Sequence, residues 1–137
     1  MNKKCYLCKE LKDKKTQCQT CAHQCLILPG QLGICGVRQN VDGKLFLLVY
    51  GRAIAANIDP IEKKPFFHFL PGSLSFSVAT VGCNFRCTNC QNWNISQFSK
   101  QAGITSKKIE NSGFELPPEK IVADAIKHSC PSISYTY

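Results

Sequence analysis

Ten cysteines in 137 residues constrain this chain more than any other feature. Six form a front group, Cys5, Cys8, Cys18, Cys21, Cys25 and Cys35, three form a middle group, Cys83, Cys87 and Cys90, and Cys130 stands apart. No apolar signal segment follows the basic N-terminus, so the sequence predicts a cytoplasmic protein whose thiols stay reduced. Clustered cysteines in a reducing compartment indicate metal ligation more than a disulfide framework.

Composition excludes a membrane-spanning protein, because the longest apolar run, residues 45–50, is far too short to cross a bilayer. The formal charge of +8 would suit a nucleic-acid partner. Thiolate metal sites would offset about three of these charges, and the lysines of the first fifteen residues are typical of a solvated tail. The charge therefore does not favour nucleic-acid binding.

The sequence divides into three segments. Residues 1–43 are polar, rich in cysteine and interrupted by glycines, which predicts a metal-binding module that folds around its metal. Residues 44–73 predict a small β-sheet followed by a connector, whose four large apolar residues should cover part of the protein: Phe66, Phe67, Phe69 and Leu70.

Residues 74–137 predict an α/β arrangement of strand, loop, helix and strand. Residues 74–80 suit a fully buried strand, residues 92–116 a long loop, and a helix begins near Pro118. A second strand starts at Ser132. This βαβ unit places the middle cysteines after the first strand, at the end of a sheet where α/β proteins carry their chemistry.

The middle group has the spacing CxxxCxxC from Cys83 to Cys90. Three thiolates hold three irons of a [4Fe–4S] cube and leave the fourth iron open to a substrate or cofactor. A structural zinc site or a closed cluster needs a fourth ligand. A front cysteine or Cys130 is the alternative source of that ligand.

This segment resembles the radical S-adenosylmethionine (SAM) signature, and the flanking sequence resembles the AmmeMemoRadiSam system radical SAM enzymes, relatives of pyruvate formate-lyase activating enzyme. The stretches that carry the resemblance are residues 50–51, 59–65, 68–73, 81–93 and 91–97. The implied fold is the start of a partial (β/α)6 barrel, preceded by the cysteine-rich module and the small sheet.

The resemblance implies that Cys83, Cys87 and Cys90 bind a [4Fe–4S] cluster whose fourth iron binds SAM. Reductive cleavage of SAM then gives a 5′-deoxyadenosyl radical that abstracts a hydrogen atom, and the cofactor supplies this chemistry. Activation of a glycyl-radical protein is one such reaction, with flavodoxin or ferredoxin as electron donor and an unknown substrate, which includes proteins. The family has an aromatic or large apolar residue near the adenine where this chain has Asn89. Phe85 or Trp93 is a candidate that compensates, and a role as a loop anchor in the core explains each of them equally well.

The front cysteines Cys18, Cys21, Cys25 and Cys35 offer four thiolates for zinc or for a second cluster. Cys5 and Cys8 form a further pair without an assigned role. His23 is interpreted as an exposed loop histidine in preference to a metal ligand, and Cys130 as a small buried apolar residue.

The predicted barrel start is short, since six β/α units require about 190 residues in proportion to a full barrel. The sequence therefore predicts a truncated chain that assembles at best a labile cluster and does not turn over SAM by itself. The alternative from another class is a zinc-binding interaction or nucleic-acid module without catalysis.

Overall fold

The computed structural model describes residues 3–136. Its contacts divide these residues into two compact units. The first contains the described residues up to Tyr50 together with Val81–Ser112, and the second contains Gly51–Thr80 with the residues from Gly113 onwards. Both units therefore combine parts of the chain that are distant in sequence.

Six short strands build the first unit: β1 (Lys3–Lys4), β2 (Cys8–Glu10), β3 (Thr16–Cys18), β4 (Leu26–Ile27), β5 (Arg38–Val41) and β6 (Lys44–Leu47). They form two antiparallel sheets with the strand orders β2-β3-β4 and β1-β6-β5. The strands have only two to four residues, which is why residues 1–43 show no sustained strand period.

Buried Asn40 connects the segments of this unit. Its side-chain amide donates to Lys14 O and Ile27 O, both at 2.8 Å, and its side-chain oxygen accepts from Gly43 N at 2.8 Å. Three hydrogen bonds compensate for the burial of this polar side chain. Asn40 thus helps to order a segment that has few large apolar residues.

Residues 92–116 contain short helices, so the predicted long loop is wrong in part. They form α1 (Trp93–Ser96), a 3-10 turn (Phe98–Lys100) and α2 (Ser106–Glu110). The Thr105 hydroxyl accepts from Lys108 N at 3.3 Å and caps α2. A helix of one turn depends on such a cap and leaves little apolar periodicity in the sequence.

The second unit contains β7 (Arg52–Ala53), β8 (Ala55–Pro60), β9 (Leu74–Ala79), β10 (Phe114–Glu115), α3 (Pro118–Lys127) and β11 (Ser132–Tyr135). In its main sheet, β9 lies between antiparallel β8 and parallel β11. The predicted buried strand, helix and second strand of residues 74–137 are confirmed, and β9 and β11 are parallel. β7 and β10 form a separate antiparallel pair.

The core of the second unit lies between α3 and its sheet. Phe76 and Val78 of β9 pack with Ile121, Ala125 and other buried residues. Two apolar residues of α3, Val122 and Ile126, are 49% and 73% exposed, so only part of the apolar stripe of the helix is buried. Within residues 3–136, no helix has the length and apolar character needed to cross a membrane.

The apolar connector does not cover the protein as predicted. Its four large residues are between 45% and 62% exposed: Phe66, Phe67, Phe69 and Leu70. Phe66 and Phe69 instead pack edge to face, with their ring centroids 6.1 Å apart. The connector folds back on itself, because Gly72 N donates to Glu62 Oε1 at 2.7 Å. At the beginning of the connector, Ile61 is buried.

Asp59 gives the second unit a pH-dependent stability. Its buried carboxylate accepts from Lys63 Nζ at 2.7 Å and Lys64 Nζ at 2.8 Å, and these bonds hold the pKa of Asp59 well below its usual value. Because the folded-state pKa is depressed, the stabilisation is complete above the unfolded-state pKa of 3.8 and is lost progressively as the pH falls from there through the lower folded-state pKa.

We expect Asp59→Asn to lower the free energy of unfolding by about 2 kcal/mol at pH 7 and by clearly less at pH 3, where the carboxyl group of the unfolded chain is protonated. Urea unfolding followed by circular dichroism at both pH values measures it. Asp13→Asn, which alters a carboxylate that is 80% exposed and 3.6 Å from Lys15 Nζ, is the control. An equal loss at both pH values would show that the charge of Asp59 does not act.

Candidate metal centre

The middle cysteines lie on the loop that follows β9. Cys83 and Cys90 are half-buried, and Cys87 is exposed. Phe85 N donates to Cys83 Sγ at 3.5 Å, and Cys90 Sγ lies 3.3 Å from Ser96 Oγ. Hydrogen bonds to sulfur are a principal means by which proteins tune iron–sulfur clusters. The three thiols and their donors therefore fit the chemistry of a cluster.

Two side chains that follow the loop hold its backbone. Gln97 Nε2 and Lys100 Nζ both donate to Phe85 O at 3.0 Å, and Lys100 Nζ also donates to Gln97 Oε1 at 3.0 Å. Gln97 is buried. Burial lowers the pKa of Lys100, with the charge of Arg86 acting in the same direction. This network fixes the middle of the loop between Cys83 and Cys87.

Gly82 fixes the start of the loop. Its φ of +92° lies in the left-handed region, and its N–H donates to Ile95 O at 3.1 Å. A Cβ at this position would lie 2.5 Å from Val37 Cγ1 and 2.8 Å from Cys35 O. Only glycine allows the loop that carries Cys83, Cys87 and Cys90, which we name the cluster loop, to come this close to the backbone of Cys35.

His23 connects the front group to the same loop. It is exposed, as predicted, and its Nε2–H donates to Asn84 O at 2.8 Å. Ser99 makes a second connection, because its hydroxyl donates to Cys35 O at 3.1 Å. The front and middle groups therefore belong to one compact unit.

The structure brings some front cysteines together. Cys18 is buried and its N–H donates to Cys25 O at 2.9 Å, while Cys35 Sγ accepts from Arg38 Nη1 at 3.7 Å. Burial opposes the charge on Arg38, but the neighbouring cysteines, Cys35 first, outweigh it and raise the pKa of Arg38. Cys21 is half-buried, and its carbonyl accepts from Gln24 N at 3.1 Å.

Phe85 and Asn89 are both exposed, Phe85 by 62% of its surface. Trp93 is 48% exposed. The explanation of Phe85 and Trp93 as anchors in the core is therefore wrong, and both rings are accessible from solvent. Their roles toward a cofactor, and that of Asn89, stay predictions.

Cys130 lies in the core of the second unit. It is 8% exposed among apolar residues, and its thiol donates to His128 O at 3.7 Å. The prediction of a small buried apolar residue is confirmed.

Across residues 3–136, no three histidine, cysteine, aspartate or glutamate side chains are placed so that they could hold a metal ion in their present rotamers. The match between this loop and an iron–sulfur cluster therefore rests on the kinds of groups present. These are three thiols, hydrogen-bonding groups next to two of the sulfurs, and two cations, Arg86 and Lys100, on or beside the loop.

The chain is 46% identical over 128 residues, or 93% of its length, to an uncharacterized protein of Methanocaldococcus jannaschii. The matched region is 36% of that relative, so the chain spans about a third of the relative's length. No family model and no solved structure matches the chain.

Sequence reasoning missed the residues that position the cluster loop, namely His23, Gln97, Ser99 and Lys100. Gln97 stands at the end of a stretch that carries the family resemblance, but its spacing from Phe85 has no motif that would reveal their contact. His23 and Ser99 are more than sixty residues from their partners, so only the fold brings them together.

Proposed function

We propose that this chain contributes the cluster-binding loop of a radical SAM enzyme. The observation that carries the proposal is the set Cys83, Cys87 and Cys90 on one anchored loop, where Phe85 N donates to Cys83 Sγ and the Ser96 hydroxyl lies within hydrogen-bond distance of Cys90 Sγ. Three thiolates suit a [4Fe–4S] cluster with one open iron. The likeness of the surrounding sequence to radical SAM enzymes supports the same conclusion.

When bound, the cluster and SAM supply reductive cleavage of the sulfonium and hydrogen-atom abstraction from a substrate. The part of this chain is to bind and orient. Phe85 N and Ser96 Oγ bond to the sulfurs of Cys83 and Cys90, which stabilises electron-rich sulfur. Gln97 and Lys100 would hold the backbone between Cys83 and Cys87 in place when the thiols lose their protons and bind iron.

Positive charge beside the loop is suited to a reducing partner. Arg86 is exposed on the loop, Lys100 lies against it, and the whole chain carries a formal +8. Electrostatic attraction would steer an acidic electron carrier such as flavodoxin or ferredoxin to this region. A glycyl-radical protein is one proposed class of substrate.

The accessible side chains of Phe85 and Asn89 are proposed to contact SAM. Phe85 presents an exposed aromatic ring two residues after Cys83, and aromatic faces pack well against a planar base. Asn89 precedes the third cysteine and offers an amide that donates and accepts hydrogen bonds. Together they would replace the apolar contact that the family makes at position 89.

Reconstitution with iron and sulfide under anaerobic conditions tests the proposal. We expect a brown protein whose reduced electron paramagnetic resonance signal changes when SAM is added. S-adenosylhomocysteine, which lacks the sulfonium methyl group, is a useful comparison for the cofactor site. A colourless protein that binds zinc alone would overturn the proposal and favour a zinc-binding interaction module.

The front cysteines are proposed to form a second metal site. The set Cys18, Cys21, Cys25 and Cys35 suits zinc or an additional cluster by spacing. The strand positions of the front cysteines favour one particular set of four ligands, which the next subsection describes.

A further inference from the structure

Three cysteines occupy one row across the sheet β2-β3-β4. Cys8 lies opposite Cys18 in the antiparallel pair of β2 and β3. On the other side of β3, Cys18 N donates to Cys25 O at 2.9 Å, in line with the pairing of Gln17 with Leu26. Opposed residues of antiparallel strands project to the same face of a sheet. The three thiols therefore share one face.

Cys5 joins this row in the same small core. Cys18 is 6% exposed and packs with Ile27 and Leu45. The partly buried cysteines that pack against these residues are Cys5, Cys8 and Cys25. The backbone of Cys5 is fixed because its N–H donates to Leu45 O at 2.8 Å. Four thiols thus line one core cluster, which we name the thiol cluster: Cys5, Cys8, Cys18 and Cys25.

A guanidinium lies beside the thiol cluster without a carboxylate partner among the described residues. Arg38 interacts electrostatically with Cys35, Cys18 and Cys5, and its Nε is buried without a hydrogen-bond partner. A partly buried cation costs free energy unless an anion lies nearby. Protonated thiols do not provide that anion, whereas metal-bound thiolates do.

We propose that the thiol cluster binds one Zn²⁺ as a tetrathiolate site. Four thiols release four protons as four Zn–S bonds form, which leaves a net charge of −2 next to Arg38. The pair Cys5-x2-Cys8 has the short spacing of structural zinc sites. This set exchanges Cys21 and Cys35 for Cys5 and Cys8, and it does not depend on the radical SAM proposal.

The thiols of Cys8 and Cys18 make other hydrogen bonds in the structure, so zinc binding requires them to change rotamer. Cys8 Sγ donates to Cys5 O at 3.3 Å, and Cys18 Sγ donates to Thr20 Oγ1 at 3.4 Å. A cysteine sulfur moves between staggered positions by rotation about χ1 alone. Zinc binding would replace these weak hydrogen bonds by metal–sulfur bonds while the register of the strands stays the same.

Neither Cys21 nor Cys35 packs with the thiol cluster within the part of the chain that the structure describes. Cys35 instead lies between Arg38 and the cluster loop, where its carbonyl accepts from Ser99. The two residues are therefore matched comparisons for Cys5 and Cys8, since all four are half-buried.

Alkylation of the unaltered chain tests the ligand set without a variant. The chain is treated with iodoacetamide with and without bound Zn²⁺, and each cysteine is quantified by mass spectrometry. We expect zinc to slow modification of the four thiols of the cluster by about tenfold or more and to leave Cys21 and Cys35 nearly unchanged. Protection of Cys21 and Cys35 without Cys5 and Cys8, or absence of protection, would overturn the proposal.

Variants provide the second measurement. Cys5→Ser and Cys8→Ser should each lower the affinity for Zn²⁺ by more than about a hundredfold, the upper end of outer-shell effects, whereas Cys21→Ser and Cys35→Ser should change it by less than about threefold. Competition with a chromophoric chelator measures these constants, with Co²⁺ absorption as a check on thiolate ligation. The reverse ranking of the two pairs would contradict the proposed ligands.

Discussion

Replacing any one of Cys83, Cys87 and Cys90 with serine is expected to abolish assembly of the iron–sulfur cluster on the cluster loop. Each cysteine would hold one iron, and a serine hydroxyl is a much weaker ligand than a thiolate. A cluster that keeps only two thiolates loses a covalent attachment, so we expect the iron and sulfide of one cluster to disappear from the reconstituted chain. Loss of binding would exceed the roughly tenfold to hundredfold effect of an outer-shell change.

Iron and sulfide analysis after anaerobic reconstitution measures this effect. Thr88→Ser changes an exposed residue of the same loop and is the matched control, with full cluster content expected. Far-ultraviolet circular dichroism shows whether each of these chains still folds. A Cys87→Ser chain that retains the iron of the parent would contradict the proposed ligand set.

Gly82→Ala is expected to destabilise the first unit by about 3 kcal/mol or more. Alanine resists a φ of +92°, and its methyl group would lie 2.5 Å from Val37 Cγ1 and 2.8 Å from Cys35 O. The backbone oxygen cannot rotate away, so the loop itself has to shift. Its displacement would also break the bond from Gly82 N to Ile95 O and misplace Cys83.

Gly103→Ala separates backbone strain from crowding. Gly103 has a φ of +77°, but a Cβ there would meet no atom within 4 Å, so we expect a loss of only about 1 kcal/mol. Urea unfolding followed by the fluorescence of Trp93, the single tryptophan, measures both variants in the same unit. Equal losses at the two positions would mean that the close approach at Gly82 does not contribute.

The elements that the sequence predicted are those with local signals. β9 consists of apolar residues with two serines among them, and α3 begins at Pro118. Both elements therefore lie near their expected positions. α2 was missed because one turn capped by Thr105 has no apolar period to detect. Phe66 and Phe69 were expected to be buried from composition alone, which does not show that they pack on each other.

The candidate sites likewise divide into a part with a local sequence signal and a part that depends on the tertiary structure. The spacing of Cys83, Cys87 and Cys90 is visible in the sequence because their function is local to one loop. The thiol cluster depends on the register of three strands of two or three residues, and the alignment of Cys8 with Cys18 has no signal in spacing. The anchors of the loop likewise follow from tertiary structure and were not predictable from the sequence.

The most direct measurement of the central proposal is Mössbauer spectroscopy of the chain reconstituted with isotopically enriched iron, with and without SAM. Three cysteine ligands leave one iron of the cube different from the other three. We predict that SAM changes the signal of that one iron and leaves the three thiolate-bound irons unaltered. A cluster whose four irons all stay the same when SAM is added would contradict the open iron and, with it, the proposed function.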